Sequence, residues 1–147
     1  MRYVRPLLIA LHLLVGVGAV AGGLAAILDP MTPLGMPVDS LENFPFDSFL
    51  IPGIILFGLI GIGNLLAAVP ALLGRRWFGY TSGFSACALM GWITVQCLML
   101  GAVVALHVIF FCIGAAMGFL ALARLGAEGL WPGTWFNRSV AFLRREP

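Results

Sequence analysis

The chain has 147 residues with a net charge of +2, and 61% of the residues are hydrophobic while only 10% are charged. Soluble domains carry roughly 25% charged residues, so this composition excludes a water-soluble fold that hides its apolar surface. The length suits one domain and leaves no room for a separate soluble catalytic unit, and we expect no nucleic-acid partner.

The first half of the chain contains two apolar runs of membrane-spanning length. A helix needs about 20 apolar residues, at about 1.5 Å each, to cross a ~30 Å hydrocarbon core. Residues 6–28 form the first run, interrupted only by His12, and residues 51–73 form the second, interrupted by Asn64. The start of the first run also resembles a secretory signal, but it continues to Leu28, beyond the usual length of a signal core. We therefore predict two spans.

The segment 29–50 between these spans is long for a simple connection. Prolines punctuate its first half, and Asp39 is then followed by Glu42 at the spacing of a helix N-cap and its partner. Several phenylalanines follow, which favour contact with the membrane interface. This pattern predicts a short helix that caps one end of the bundle.

The third apolar run, residues 77–123, would be roughly 70 Å long as a single helix, more than twice the thickness of the hydrocarbon core. It must therefore fold back once. A polar side chain and a glycine come closest to its middle between Gln96 and Gly101. This predicts a third span over residues 77–97 and a fourth over 101–123.

The remaining segment, residues 124–147, mixes aromatic and aliphatic side chains with arginines. Pro132, Gly133 and Thr134 are typical of a turn followed by a helix N-cap. We predict an amphipathic helix on the surface of the cytoplasmic leaflet, attracted to anionic lipid. A frayed, arginine-rich tail is the alternative.

Arginine placement predicts the orientation of these spans. Four spans put the N-terminus, the connection around residues 74–76 and the tail on one side, and all eight arginines lie in those parts of the chain. The segment 29–50 contains none. Because cationic residues accumulate in cytoplasmic loops, we predict a multi-pass protein of the bacterial inner membrane with both termini in the cytoplasm.

Few polar side chains lie inside the spans, and each is a candidate for function because polar groups are costly in lipid. The spans contain no embedded carboxylate, which disfavours proton-coupled antiport. His12 and His107 differ in depth by about 15 Å, too far to share one haem iron. The three cysteines form no CxxC pair, and no set of metal ligands clusters. We therefore predict no catalytic residues, no metal and no cofactor.

One group of polar residues lies at a common height near the non-cytoplasmic ends of the spans. If segment 29–50 folds over the bundle, these residues would converge on a shallow pocket for a lipid headgroup, a quinone head or a small polar ligand. The alternative is that they hydrogen-bond one another and hold the segment on the helices. These candidate ligand-binding residues are Glu42, Asp47, Thr94, Gln96 and His107. Deeper in the bundle, Asn64 and His12 lie at similar depth and favour a structural hydrogen bond.

Three spans contain pairs of glycines four residues apart, which let helix backbones approach closely. They favour a tight bundle and are candidates for association with a second copy or a membrane-protein partner. The pairs are Gly18 with Gly22, Gly79 with Gly83, and Gly114 with Gly118.

Two stretches carry a resemblance to known sequences. Pro45-Phe46 leading to Ile51-Pro52-Gly53, and Gly91-Trp92-Ile93 leading to Gln96, resemble a group of small bacterial four-span inner-membrane proteins of unknown function, over residues 41–122. The resemblance implies a four-span fold and a membrane location, but no activity. It also implies that several residues belong together, namely Glu42, Pro45, Phe46, Pro52, Gly53, Trp92 and Gln96.

These observations predict an all-α membrane protein, a four-helix transmembrane bundle with a short periplasmic capping helix and an amphipathic cytoplasmic C-terminal helix. The function that we expect is non-enzymatic: an accessory or scaffold protein that binds membrane lipid or a membrane-protein partner. The alternative is a small membrane enzyme or carrier with a periplasm-facing polar pocket at the ends of spans three and four.

Overall fold

The computed structural model describes residues 3–41 and 46–135. Within them the chain forms four long helices, which we name α1 (Val4–Leu28), α2 (Leu50–Leu72), α3 (Phe78–Leu100) and α4 (Ala105–Ala127). Each is long and apolar enough to cross a membrane, since 23 residues of α-helix measure about 34 Å. The predicted fold class is confirmed: the protein is all-α, with four helices of membrane-spanning length packed together.

The helix bounds differ most from the sequence prediction at the connection between α3 and α4. Helix α3 continues three residues beyond position 97, and α4 begins four residues after position 101. The chain leaves α3 at Gly101, whose φ of 59° is in the left-handed region. Glycine adopts this conformation without steric cost and commonly ends helices, which places the turn at residues 101–104 and leaves Gln96 inside α3.

Helix α2 is not a regular α-helix along its whole length. Leu56–Ile62 has π-helical hydrogen bonding, between α-helical segments on either side. The segment contains Gly58 and Gly61, and Gly63 follows it. π-Helical turns are rare and often occur at functional sites. In this protein the π-helical segment contributes Leu56 and Ile60 to the wall of the cavity described below.

Packing is most extensive between α1 and α2 and between α3 and α4. A Cβ atom on Gly23 of α1 would lie 2.5 Å from the backbone nitrogen of Phe57, and one on Gly61 would lie 2.9 Å from that of Val20. Glycine is therefore required where α1 and α2 touch. The sequence prediction did not single out either position.

The six glycines of the predicted pairs face neighbouring helices to different degrees. A Cβ on Gly79 or Gly114 would come within 2.8 Å of a side chain of the facing helix, whereas the other four would make ordinary contacts. The pairs on α3 and α4 thus contribute to packing within the chain. Association of the protein with a second copy or a partner through these glycines stays a prediction.

Residues 29–41 and 46–49 cover one end of the bundle. They contain two 3₁₀ turns, Pro33–Gly35 and Val38–Leu41, and Asp39 lies in the first turn of the second. Leu41 and Phe49 are buried against Ala26 and Met99, which fixes both stretches on α1 and α3. The continuation of the predicted capping helix to Glu42 lies outside the described residues, as does most of the predicted amphipathic tail helix, residues 136–147.

The opposite end carries the arginines of the described chain. Arg5 donates from Nε to the carbonyl oxygen of Ala71 (2.7 Å) and from Nη2 to that of Leu72 (2.8 Å), so its guanidinium caps the last turn of α2. Arg124 forms an ion pair with Glu128 and lies 5.1 Å from the ring centroid of Phe78. We call this the arginine end. The other end, formed by residues 29–41, 46–49 and 101–104, contains no arginine and is the arginine-free end.

Candidate functional site

A cavity of about 160 Å³ lies among all four helices, in the half of the bundle near the arginine-free end. Most of its wall is apolar, with Val15 and Ala19 from α1, Ile60 from α2, Leu89 from α3 and Phe110 from α4. Three residues with polar side chains complete it: Trp92, Gln96 and His107. No charged residue among the described residues lines this cavity.

His107 lies in the first turn of α4 and is only 7% exposed. Its Nδ1 accepts a hydrogen bond from the backbone N–H of Val104 (3.3 Å). A ring nitrogen that accepts carries no hydrogen, so the neutral ring has its hydrogen on Nε2. No residue in the described ranges accepts that hydrogen. The imidazole is therefore held by the backbone on one side and keeps an unused donor on the other.

Trp92 and Gln96 lie four residues apart on α3, a spacing that places both side chains on one face of the helix. Trp92 is 7% exposed, and its indole N–H is buried without a hydrogen-bond partner. The Gln96 amide, which is half-buried, makes no hydrogen bond within residues 3–41 and 46–135. An unsatisfied buried polar group costs about 1–3 kcal/mol, and among these three residues that cost falls on the Trp92 N–H. The Gln96 amide and His107 Nε2, which have no partner among the described residues, indicate a place for a polar molecule in the cavity.

The cavity reaches the surface of the bundle between α1 and α4. Gly18 of α1 and Leu106 of α4 belong to its wall, and both are exposed, Leu106 by 63%. A Cβ on Gly18 would come no closer than 3.8 Å to any other residue, and the nearest atom is the ring carbon of Phe110. The absence of a side chain at Gly18 therefore leaves a gap that faces the surroundings of the helices.

The five candidate residues of the sequence prediction have different surroundings. Gln96 and His107 line the same cavity. Thr94 does not line it, and its hydroxyl donates to the carbonyl oxygen of Met90 (2.9 Å) on its own helix. Asp47 lies in a separate depression of segment 29–49, together with Asp39. Glu42 lies outside the described residues. Convergence of all five on one pocket is therefore not seen in the described part of the chain.

Sequence reasoning linked Trp92 to Gln96 only through the family resemblance, although their four-residue spacing on one helix was a usable signal. The contributions of α1 and α2 to the wall, including Gly18, were not expected at this site. They carry no polar side chain, and the sequence prediction singles out Gly18 only as a packing glycine, not as part of a site.

A second polar cluster lies deeper in the bundle and is fully satisfied. His12 Nδ1 donates to Asn64 Oδ1 (2.8 Å), and its Nε2 is 2.9 Å from the hydroxyl of Ser82, which donates to it in the neutral ring. The Asn64 amide donates in turn to the carbonyl oxygen of Ile60 (2.8 Å). The predicted hydrogen bond between His12 and Asn64 is confirmed, and Ser82 extends it to a third helix. All three side chains are buried, and the cluster joins α1, α2 and α3.

Four packed helices, each long and apolar enough to cross a membrane, define the class: a small multi-pass membrane protein. No family model, no curated protein and no solved structure matches the chain.

Proposed function

We propose that the protein is a small accessory protein of the bacterial inner membrane that binds a membrane-soluble ligand in the cavity between its four helices. The observation that carries this proposal is that Trp92, Gln96 and His107 line one cavity and each has a hydrogen-bonding group without a partner among the described residues. Polar groups inside a membrane protein are costly when unpaired, so a bound molecule that pairs with them would be held firmly.

The location and orientation belong to the same proposal. All eight arginines of the sequence fall in the parts of the chain that a four-span arrangement puts at one end, which favours cytoplasmic termini under the positive-inside rule. The cavity then lies in the half of the bundle that faces the periplasm. Membership of the small four-span family, with its Pro-Phe, Ile-Pro-Gly and Gly-Trp-Ile stretches, is likewise a proposal, supported by the sequence resemblance.

A small membrane enzyme or carrier that uses the same cavity is the second candidate. It is favoured by the presence of Gln96 and His107 in one wall, where a ligand could contact both. It ranks second because the cavity has no carboxylate among the described residues to act with the imidazole. A scaffold role, in which the helices hold a membrane-protein partner, rests on the glycine pairs alone.

Ligand binding is tested by purifying the full chain from native membranes and identifying the molecules that it retains by native mass spectrometry. We expect one molecule per chain in the wild type and in Thr81→Val, a matched control outside the cavity whose hydroxyl donates to its own helix, and loss of that molecule in Gln96→Leu. Absence of any retained molecule from the wild type, or equal retention by Gln96→Leu, contradicts ligand binding in this cavity. Turnover of the retained molecule would favour the enzyme, and co-purification of a stoichiometric multi-span protein would favour the scaffold.

A further inference from the structure

The chemistry of the cavity restricts what it can hold. His107 offers the Nε2–H donor, and the Gln96 amide can donate and accept, whereas the indole N–H of Trp92 is fully buried in the wall. The cavity presents more donors than acceptors, and the described residues around it carry no charge. A phosphate or an ammonium group would lie there without an opposite charge, which is strongly unfavourable in a low-dielectric site. A neutral acceptor oxygen, such as a carbonyl, fits both observations.

The polar and apolar parts of the cavity are ordered along the bundle axis. His107 and Gln96 lie about 3 and 6 Å from the ends of their helices, whereas Gly18 lies about 15 Å from the end of α1. The hydrogen-bonding end is therefore near the membrane interface and the apolar end is nearer the bilayer centre. An amphiphile in that leaflet has its polar and apolar parts in the same order, with its head at the interface and its tail towards the bilayer centre.

The size of the cavity and its opening agree with a ligand that is only partly enclosed. A volume of about 160 Å³ is below the ~300 Å³ at which sites for drug-sized molecules begin, so a whole lipid cannot fit. The gap at Gly18, where the nearest atom to an added Cβ is a ring carbon of Phe110 at 3.8 Å, lets a tail pass out between α1 and α4.

From this geometry we infer that the cavity takes the carbonyl head of a neutral long-chain amphiphile, which enters sideways between α1 and α4 and leaves its tail among the lipids. The inference rests on the proposed function and names the class of its ligand. Two molecules share this chemistry, a quinone with its ring carbonyls and a diacylglycerol with its ester carbonyls.

The test uses the full chain in nanodiscs and infrared difference spectroscopy with carbonyl-¹³C-labelled probes. One arm carries a labelled long-chain quinone and the other a labelled diacylglycerol. We expect the carbonyl band of one probe to shift to lower frequency on binding, and the arm that shows the shift identifies the source. The shift should weaken in Gln96→Leu, which removes the amide, and in His107→Asn, which keeps an acceptor for the Val104 N–H but lacks Nε2–H. Thr81→Val should keep the shift, because the Thr81 hydroxyl donates to Phe78 on its own helix and Thr81 does not line the cavity.

The sideways opening is tested separately with Gly18→Leu, which fills the gap. We expect binding of the probe to weaken by at least about tenfold, with the melting temperature of the protein retained. The matched control is Gly91→Leu, since Gly91 is also exposed on a span and has no atom within 4 Å of an added Cβ. Equal effects of the two substitutions would contradict access at Gly18.

The outcomes separate the inference from the proposed function. If neither carbonyl band shifts but native mass spectrometry finds a different molecule whose retention depends on Gln96, the ligand class is wrong and the binding function stands. If no molecule is retained and neither probe binds, both are wrong.

Discussion

At the scale of single residues, the two histidines differ in their hydrogen-bond partners. His12 has a partner for each ring nitrogen, from Asn64 on α2 and Ser82 on α3. His107 has one ring nitrogen bonded to the backbone, and the other has no partner among the described residues. Since polar groups in lipid are stable only when paired, the first arrangement holds helices together and the second is suited to binding.

The contribution of the His12 cluster to stability can be measured by removing one of its hydrogen-bond partners. Asn64→Leu leaves the Nδ1–H of His12 buried without an acceptor, so we expect the free energy of unfolding in detergent to fall by about 1–3 kcal/mol. Thr94→Val is the control, because its hydroxyl bonds only to its own helix and the side chain is exposed. Equal losses in the two variants, measured by denaturant titration, would show that the cluster contributes nothing specific.

Asp29, which follows the last residue of α1, gives a prediction about pH. The Thr32 hydroxyl (2.9 Å) and the Thr32 backbone N–H (3.1 Å) donate to its carboxylate and hold the pKa of Asp29 below its ordinary value of 3.8. A carboxyl group whose pKa is lowered by folding stabilises the fold above its unfolded pKa, and that contribution is lost as pH falls through the folded value. The affected window therefore lies below about pH 4.

Thr32→Val removes the hydroxyl donor and should raise the pKa of Asp29 towards its ordinary value, while the backbone donor remains. Carboxyl-carbon NMR titration of the labelled protein measures this directly. Thr94→Val should leave the titration of Asp29 unchanged. An unaltered pKa in Thr32→Val would show that the hydroxyl does not stabilise the carboxylate.

At the scale of helices, close approach of α1 and α2 depends on particular glycines. Gly23→Ala would place a Cβ 2.5 Å from the Phe57 nitrogen, so the helices must separate. Overpacking of this kind costs about 1–3 kcal/mol. Gly22→Ala is a control one residue away, since its Cβ would meet only a Leu56 side-chain carbon at 3.5 Å. Thermal unfolding of both variants should show a clear loss for the first and little change for the second.

The sequence predicts the helices well because lipid imposes a simple rule, that a span is an apolar run of a certain length. It cannot predict where α3 ends from hydropathy alone, since both sides of Gly101 are apolar and only the left-handed φ of that glycine sets the turn. The π-helical part of α2 is equally hidden, because Leu56–Ile62 has the composition of any span.

The same reasoning explains what could be predicted of the candidate site. Gln96 and His107 were identified because they are polar in apolar surroundings, and each lines the cavity. The apolar wall and the gap at Gly18 could not be identified, because they depend on which faces of α1, α2 and α4 meet. Asp47 was grouped with them by height along the membrane, a criterion that does not say which depression a side chain lines.

At the scale of the whole molecule, the two ends of the bundle differ in charge. One end of the described chain carries Arg5, Arg75, Arg76 and Arg124. The other end is covered by apolar residues and aspartates of residues 29–41 and 46–49. This asymmetry follows from four crossings, because an odd number would put the N-terminus and the tail on opposite sides. The orientation of the protein and the side on which the cavity lies both depend on it.

Labelling from each side of the membrane tests this arrangement most directly. Cysteines are introduced by Asp39→Cys or Arg75→Cys in a background where Cys87, Cys97 and Cys112 are alanine, and intact spheroplasts are treated with a thiol reagent that cannot cross lipid. We expect the cysteine at position 39 to react in intact cells and the one at position 75 to react only after the membrane is opened. Reaction of both cysteines from the same side would contradict the four-span arrangement.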